Sequence, residues 1–409
     1  MRVTTNLIFN QSELSMSKAN ERYLKVQEKI AEQSDIVRPS DDPNGAGQLL
    51  RYGADTKLLE QYEKNMTLAT NALEYESVAL ESLNSTLDEI NKRMIQSNNG
   101  ANSQVDLDTL AGEMENLLAS VADLMNSQDS NGKYIFAGTN ANSPAFVKDA
   151  SGAFQYAGNE AQKNAQIGDN VSVATNDSGK KVFQDAWTRN TFSASSSAGT
   201  ASLSYRVEDQ GAYDDFINSQ YVNPSLGVVP SPNDFTLTTT AGAPDQFSFQ
   251  DSSGNVLASG DFVSGEPVTF NGMEFTLTGA VGSTVNFSLD QPTRDNVINQ
   301  VQSAIDALRD PNLTPQQKNE ARLNAFTSIE NTQSNIATAS SSVGSRINTI
   351  DNRTEYSTSK KTFNQIAQEN IGGLNVYKAT TELELSKTAL EASQLLFQRI
   401  SSLSLFNSL

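Results

Sequence analysis

The 409-residue chain has no cysteine, no histidine, a single tryptophan, and only 29 Lys and Arg against 48 Asp and Glu, a formal net charge of −19. Each shortage removes a class of chemistry. Without Cys there are no disulfides and no thiolate ligands or nucleophiles. Without His there is no imidazole base, so Ser-His triads, His-assisted thiol chemistry and the common zinc ligand sets are excluded. The scarcity of basic residues argues against nucleic acid, whose phosphates are neutralised by Lys and Arg, and against anionic membrane surfaces. No run approaches the roughly 18–20 apolar residues of a membrane span, and the opening MRVTTNLIFNQSELSMSK lacks a charged head with a long apolar stretch behind it. The expectation is a chain with no nucleic-acid or membrane partner, cytoplasmic or exported by a route that leaves no cleavable signal.

What is present is uncharged polarity. Apolar residues make up 37% and charged residues 19%; with 24 Gly and 11 Pro set aside, about 35% remains for Ser, Thr, Asn and Gln. The length allows two or three domains, each large enough for its own core.

The clearest pattern is a heptad repeat. Leu59, Tyr62, Met66, Ala69, Leu73, Glu76, Leu80, Leu83, Leu87, Ile90 and Met94 follow spacings of three and four, with Glu76 the only charged interruption. That predicts a helical rod of roughly 54 Å. After a polar break at Ser97 to Ser103, Leu107, Leu110, Met114, Leu117, Val121 and Leu124 repeat the spacing and predict a helix returning along the first. Downstream, Val297, Val301, Ala304 and Leu308 form a short seam, and Phe326, Ile329, Gln333, Ile336, Ser340, Val343, Ile347 and Ile350 a long one. Pro311 and Pro315 separate the two. All these stripes read first as packing within one bundle, ahead of a face for an external partner.

Between the rods, residues 133–292 change period. Phe247 and Phe249, Val268 and Phe270, Phe275 and Leu277, and Val285, Phe287 and Leu289 alternate at period two; Asn271-Gly272 marks a hairpin turn, Ser151-Gly152 another, and Asp251 to Asn255 a longer turn. Residues 190–293 hold Arg206 as their only basic residue against 11 acidic ones, as suits a solvated outward domain. Trp187, beside Phe183 and Phe192, is expected to cap a small domain's core.

The two ends carry the last seams. Met16, Ala19, Tyr23, Val26 and Ile30 form one, and Val376, Ala379, Leu383, Leu390, Phe397 and Ile400 the other. Pro39 and Pro43 cut off the first and Gly372-Gly373 the second, leaving arms of matched length, 1–38 and 374–409. Across 1–50 and 370–409 acidic residues exceed basic ones by one, so the ends are almost neutral while the interior carries the charge. Near-neutral arms with one apolar face suit repeated self-association. They are expected to pair as an antiparallel coiled coil and to become ordered on assembly. In the stretch Ser40, Asp41, Asp42, Pro43, Asp42 suits an N-cap and Pro43 the first helical position, with Gly45 and Gly47 allowing close backbone approach. It reads either as plain capping or, with Gly372 and Gly373, as a hinge between arm and body.

The resulting fold class is α+β and multidomain: long antiparallel helical rods, a coiled coil formed by both termini, and a central β-rich insertion. The divisions are 1–42 (N-terminal arm), 43–189 (first part of the rod domain, with β-hairpin elements), 190–293 (β-rich domain), 294–371 (second part of the rod domain) and 372–409 (C-terminal arm).

At this point particular motifs become recognisable. Met1 to Asn6 (MRVTTN), Arg38 to Tyr52 (RPSDDPNGAGQLLRY), Gly132 to Thr139 (GKYIFAGT) and the C-terminal LELSKTALEASQLLFQRISSLSLF resemble the flagellin superfamily. Within it the chain resembles the hook-associated protein 3 family over roughly residues 1–150 and 295–409, the central β region being the variable part. The resemblance implies a secreted structural protein of the bacterial flagellum that joins hook to filament, with paired terminal helices forming an inner tube. It implies a homo-oligomer with hook-associated protein 1 on the hook side and flagellin on the filament side. It also implies export through the flagellar export apparatus without a cleaved signal peptide, escorted by an export chaperone that binds near the C-terminus. Filament flagellin and a surface-binding module carried on a helical stalk are the alternatives.

Catalysis finds no footing. Asp41-Asp42 and Asp214-Asp215 are adjacent acids whose side chains diverge on strand or helix. Ser127, Asp129, Asn131 and Gly132 imitate half an EF-hand, but Gly138 stands where the bidentate Glu is needed, so the segment reads as a turn before a Tyr134–Phe136 strand. No phosphate-binding glycine motif occurs. No enzymatic activity, cofactor or metal is expected.

Overall fold

The computed structural model describes the backbone of residues 2–406 and, a few positions apart, the side chains from 7 to 401; the side chains of the Met1–Asn6 motif fall outside it. The helices are α1 (Arg2–Glu32), α2 (Pro43–Ser97), α3 (Gln104–Met125), α4 (Gln210–Gln220), α5 (Val297–Arg309), α6 (Pro315–Gly372) and α7 (Val376–Phe406). The strands are β1 (Phe146–Lys148), β2 (Phe154–Tyr156), β3 (Asn164–Gly168), β4 (Val171–Ala174), β5 (Ala186–Trp187), β6 (Phe192–Val207), β7 (Asp234–Thr240), β8 (Gln246–Asp251), β9 (Val256–Asp261), β10 (Pro267–Phe270), β11 (Met273–Leu289) and β12 (Arg294–Asp295). The chain divides into two units: residues 1–71, 164–173 and 345–409, and residues 72–163 and 174–344. Both α2 and α6 contribute to each.

All eleven members of the first heptad series are buried, from Leu59 to Met94. A seam of spacing 3 and 4 stays on one side of a helix turning every 3.6 residues, so an uninterrupted series buries as a block. The second and third series are shifted in part. On α3, Met114 and Val121 are buried as the spacing predicts, but Leu118 and Met125 replace Leu117 and Leu124. On α6, Ile329, Ile336, Val343 and Ile350 are buried as expected, while Ala325, Thr332 and Ala339 take the places read from Phe326, Gln333 and Ser340.

In the second unit the polar break between α2 and α3 is a turn closed by a capping box: the Ser103 side chain accepts from the Asp106 amide and Asp106 accepts from the Ser103 amide. An Arg93–Glu113 ion pair of 2.7 Å ties the two helices. Helix α5 buries Val297, Val301, Ala304 and Leu308 and packs on α3.

The β region of this unit is a six-stranded sheet in the order β10-β11-β7-β8-β9, with β6 also paired to β11. Its interior is aromatic: Phe192, Phe235, Phe249, Phe275 and Phe287 are buried together with Leu237, Val268, Phe270, Leu277, Val285 and Leu289, as the alternation requires. Asn271 and Gly272, with φ of 46° and 80°, make the two-residue turn between β10 and β11. Asp251 closes the β8–β9 turn by accepting at 2.9 Å from the amides of Ser253 and Asn255. Helix α4 lies outside the sequence reading; Asp209 caps it and Tyr213 is fully buried under the sheet, donating to the Thr191 carbonyl at 2.6 Å.

Three sequence expectations are corrected. Trp187 is 49% exposed, its ring stacked under the Arg294 guanidinium at 4.1 Å, so it caps no core. The core expected of it is built instead by Phe136, Phe146 and Phe183, with Phe136 5.1 Å from Phe183. Tyr134–Phe136 is not a strand: Tyr134 makes one isolated bridge to Gln128 and the chain then turns so that Phe136 points inward. Gly47 stands in open space, so only Gly45 needs its missing side chain.

Candidate assembly surface

The first unit carries the residues singled out for assembly. Helices α1 and α7 are each 31 residues long and pack antiparallel, with Phe9 5.1 Å from Phe397. On α1, Phe9, Ser12, Met16, Ala19, Tyr23, Val26 and Ile30 are partly covered and form one heptad stripe. On α7 the matching stripe is Ala379, Leu383, Ser386, Leu390, Ser393, Phe397 and Ile400. Ser12, Ser386 and Ser393 escape a search for apolar residues, yet small side chains at alternate seam positions let the helices approach where Leu and Phe interdigitate. Val376 is 62% exposed and lies outside this stripe; it is the first helical residue, and burial begins at Ala379, which is 5% exposed.

The pair is only half covered. Ala379 is the one seam residue that is buried outright; the rest are intermediate. Other apolar side chains on the same helices face solvent: Leu7, Ile8, Leu14 and Leu24 on α1, and Tyr377, Leu385, Leu395 and Leu396 on α7. Full burial of one such side chain is worth roughly 1.5–3 kcal/mol, so this surface holds a large unclaimed driving force for association.

Chain breaks at both arms meet at one junction. Helix α1 ends in a Schellman arrangement, with the Ser34 amide on the Lys29 carbonyl at 3.1 Å, the Gln33 amide on the Ile30 carbonyl at 3.3 Å, and Gln33 in the left-handed region at φ 52°. Ser34 then pairs with Gly373, and the Asp35 amide donates to the Gly372 carbonyl at 2.8 Å. A side chain at Gly372 would meet Leu49, and one at Gly373 would overlap the Glu369 carbonyl. Beyond them Asn375 caps α7, its side chain accepting from the Lys378 amide at 3.0 Å.

The Ser40-Asp41-Asp42-Pro43 stretch divides its labour. Asp42 accepts from the Asn44 amide at 3.1 Å and starts α2 with Pro43 at its first position; Gly45 lets Ile36 and the Asp42 carboxylate lie against the first turn. Asp41 turns the other way, onto Lys25 of α1 at 2.7 Å, and that hydrogen bond holds its carboxyl below the usual range. Lys29–Asp35 at 2.7 Å and Arg38–Glu28 at 2.9 Å complete three ion pairs that lay the linker back along the end of α1. Ser40 is exposed. Beside the linker, Ile36, Pro39, Leu49, Leu50 and Ala54 line a groove of about 490 Å³.

Further along, α2 and α6 are joined by polar contacts. Lys360 and Asn364 both reach Asp55, at 2.8 and 2.7 Å, and Lys361 reaches Glu63 at 2.9 Å. Burial pushes the Asp55 carboxyl up, but the Lys360 and Asn364 hydrogen bonds outweigh it and hold the group below its ordinary value. The β3–β4 hairpin is pinned to α2 by the Asn65 side chain on the Gln166 carbonyl at 2.8 Å and Tyr62 on Asp169 at 3.0 Å.

Residues 3–141 match the model of the bacterial flagellin N-terminal helical region. That match spans about a third of the chain. Beyond that match, the chain resembles flagellar hook-associated protein 3 of Escherichia coli K12: 25% identity over 183 residues, 45% of this chain and 57% of that relative, little more than half its length. A flagellin of Listeria monocytogenes matches at 29% over 129 residues, 31% of this chain and 45% of the relative. Among solved structures, the flagellar junction protein FlgL from Legionella pneumophila superposes with a TM-score of 0.57 at 21% identity, covering 80% of this chain and all of that one. At that identity the likeness is one of fold: long terminal helices around a central β-rich region. Among the described residues no acidic cluster could hold a metal ion, and no helix is long and apolar enough to cross a membrane.

Proposed function

We propose that this chain is the junction component of a bacterial flagellum, connecting hook-associated proteins to the flagellin filament by polymerising through α1 and α7. The observation that carries the reading is the terminal helix pair, whose shared seam is half-covered and whose remaining apolar side chains face solvent on both helices. The likeness to hook-associated protein 3 supports the same reading. In it, arms 1–42 and 372–409 make the terminal domain, residues 43–189 and 294–371 the rod, and 190–293 the outer domain. Copies of the chain associate with one another, with hook-associated protein 1 on one side and flagellin on the other. The chain reaches that place through the flagellar export apparatus, uncleaved and escorted by an export chaperone, and its role is structural, not enzymatic.

Deleting residues 374–409 tests it. The truncated chain is expected to keep its β core, read by the near-ultraviolet signal of its buried aromatics, while cells expressing it in place of the full chain lose attached filaments. Normal filament attachment by the truncation would overturn the reading. The flagellin match favours a second reading, a filament subunit. Purified full-length chain growing into long homopolymers would select that one; short or closed assemblies select the junction.

A further inference from the structure

Two more heptad stripes run along the terminal pair, neither part of the seam joining α1 to α7. On α1, Lys18, Arg22, Lys25 and Lys29 follow the spacing 4, 3, 4 and form one wall of a groove of about 700 Å³ whose other wall includes Leu385 and Ala389 of α7. Lys25 and Lys29 are engaged by Asp41 and Asp35, whereas Lys18 and Arg22 take part in no ion pair among the described residues. Glu382 is the one acid among the described residues lining this groove. The groove is therefore cationic on the α1 side and mixed on the α7 side, where Leu385 and Ala389 alternate with Glu382, Ser386 and Ser393.

The second stripe lies on the back of α7. Tyr377, Thr381, Glu384, Thr388, Glu391 and Leu395 follow the spacing 4, 3, 4, 3, 4, and all are exposed, Tyr377 at 84%. The Thr381 and Thr388 hydroxyls donate to the Tyr377 and Glu384 carbonyls of their own helix, each at 2.9 Å, which leaves their methyl groups for outside contact. The stripe thus presents apolar groups with two carboxylates seven residues apart. Neither carboxylate is in an ion pair among the described residues.

Height along the pair matches the two. Phe9 faces Phe397, so position 22 of α1 lies level with position 384 of α7, and position 18 with 388. A second copy beside the first, helices running the same way, brings its Glu384 level with Arg22, and its Glu391 within about one turn, roughly 4.5 Å, of Lys18.

We propose that the α1–α7 groove receives the back of α7 from a second copy of this chain, with Glu384 and Glu391 of that copy meeting Arg22 and Lys18. Donor and acceptor are different faces of one molecule, so the contact is head-to-tail and generates a ring or an open helix of copies. The charges fix which face docks and at what height, while Leu385, Ala389, Tyr377 and Leu395 supply the apolar burial. This rests on the assembly reading above and names the surfaces that carry it.

Charge reversal tests it in full-length chains, compared in cells at equal exported amount. Lys18→Glu with Arg22→Glu, and separately Glu384→Lys with Glu391→Lys, are each expected to lower the fraction of cells with attached filaments about tenfold. All four reversals in one chain restore the pairing and are expected to recover most of the loss, which a variant that merely misfolds cannot do. Wild-type attachment by either double variant, or no recovery in the quadruple variant, overturns the proposal. The 374–409 deletion separates the two levels. If it abolishes attachment while the reversals are silent, the assembly reading stands and this docking geometry falls. If the deletion itself is silent, both fall.

Discussion

In the sheet, Phe249 is fully buried, 4.6 Å from Phe270 and 5.6 Å from Phe275, with Phe287 and Phe247 also in reach. In the terminal pair, Phe397 meets one ring among the described residues, Phe9, and stays half-buried, with Leu395 and Leu396 exposed beside it. The same side-chain chemistry is finished by the chain itself in one region and left unfinished in the other. A sheet backed by α4 closes over its aromatics from several directions. Two helices in contact share one line, and the rest of each cylinder remains open. The difference marks the sheet as a self-sufficient core and the helix pair as a face whose apolar side chains the chain itself leaves in solvent.

The strongest way to break this comparison is a pair of truncations. Phe249→Ala is expected to cost about 3–5 kcal/mol in urea unfolding, as large core cavities do. Phe397→Ala is expected to cost about 1 kcal/mol or less in the isolated chain yet to impair filament attachment severely. Equal losses of intrinsic stability would mean that the terminal pair is a finished core.

A smaller effect sharpens the role of the junction between arm and body. Gly373→Ala places a methyl group against the Glu369 carbonyl, a backbone atom that cannot rotate away, and is expected to cost about 1–3 kcal/mol in thermal unfolding. An unchanged melting temperature would show that the junction yields freely, as a hinge does.

The smallest expected effect concerns pH. Asp55 is held below its ordinary value of 3.8, so its contribution is present above pH 3.8 and is lost as pH falls through the lower folded value. Lys360 is raised above 10.5, chiefly by its hydrogen bond to Asp55, so its contribution is present below that pH and lost as pH climbs through the higher folded value. Both side chains are partly exposed and screened, so the pair is worth about 0.5 kcal/mol. Asp55→Asn should flatten the acid limb of stability below pH 3.8, measured by urea titration; an unaltered limb would remove Asp55 from that account.

Legibility followed chemistry. The α2 seam from Leu59 to Met94 is read without error because every position of that series except Glu76 is apolar or aromatic, and the sheet because one buried face imposes period two. Helix α4 is the clearest omission, though Asp209 as cap and Tyr213, Phe216 and Ile217 at helical spacing were available to find it. Arg189 left no such trace. Its buried guanidinium donates to Gln210 at 2.6 Å and to the Val207 carbonyl, and pairs with Glu320 of α6. Nothing in sequence separates it from a solvated arginine, because the three partners converge only after folding.

On α6 and α7 the limit has a single cause. Periodicity specifies a helix and the approximate direction of its inner face, since both depend only on spacing along the chain. It determined here that the ends are helical, nearly neutral and striped, and that the middle is β. Which of two neighbouring residues is buried depends on how closely the partner helix approaches, and that distance is set by both helices together. Ala325 rather than Phe326, Ser386 and Ser393 within the seam and Val376 outside it were therefore decided by the tertiary structure. So was the meeting of Ser34 with Gly373, 339 positions apart in the chain, which joins the two breaks into one junction.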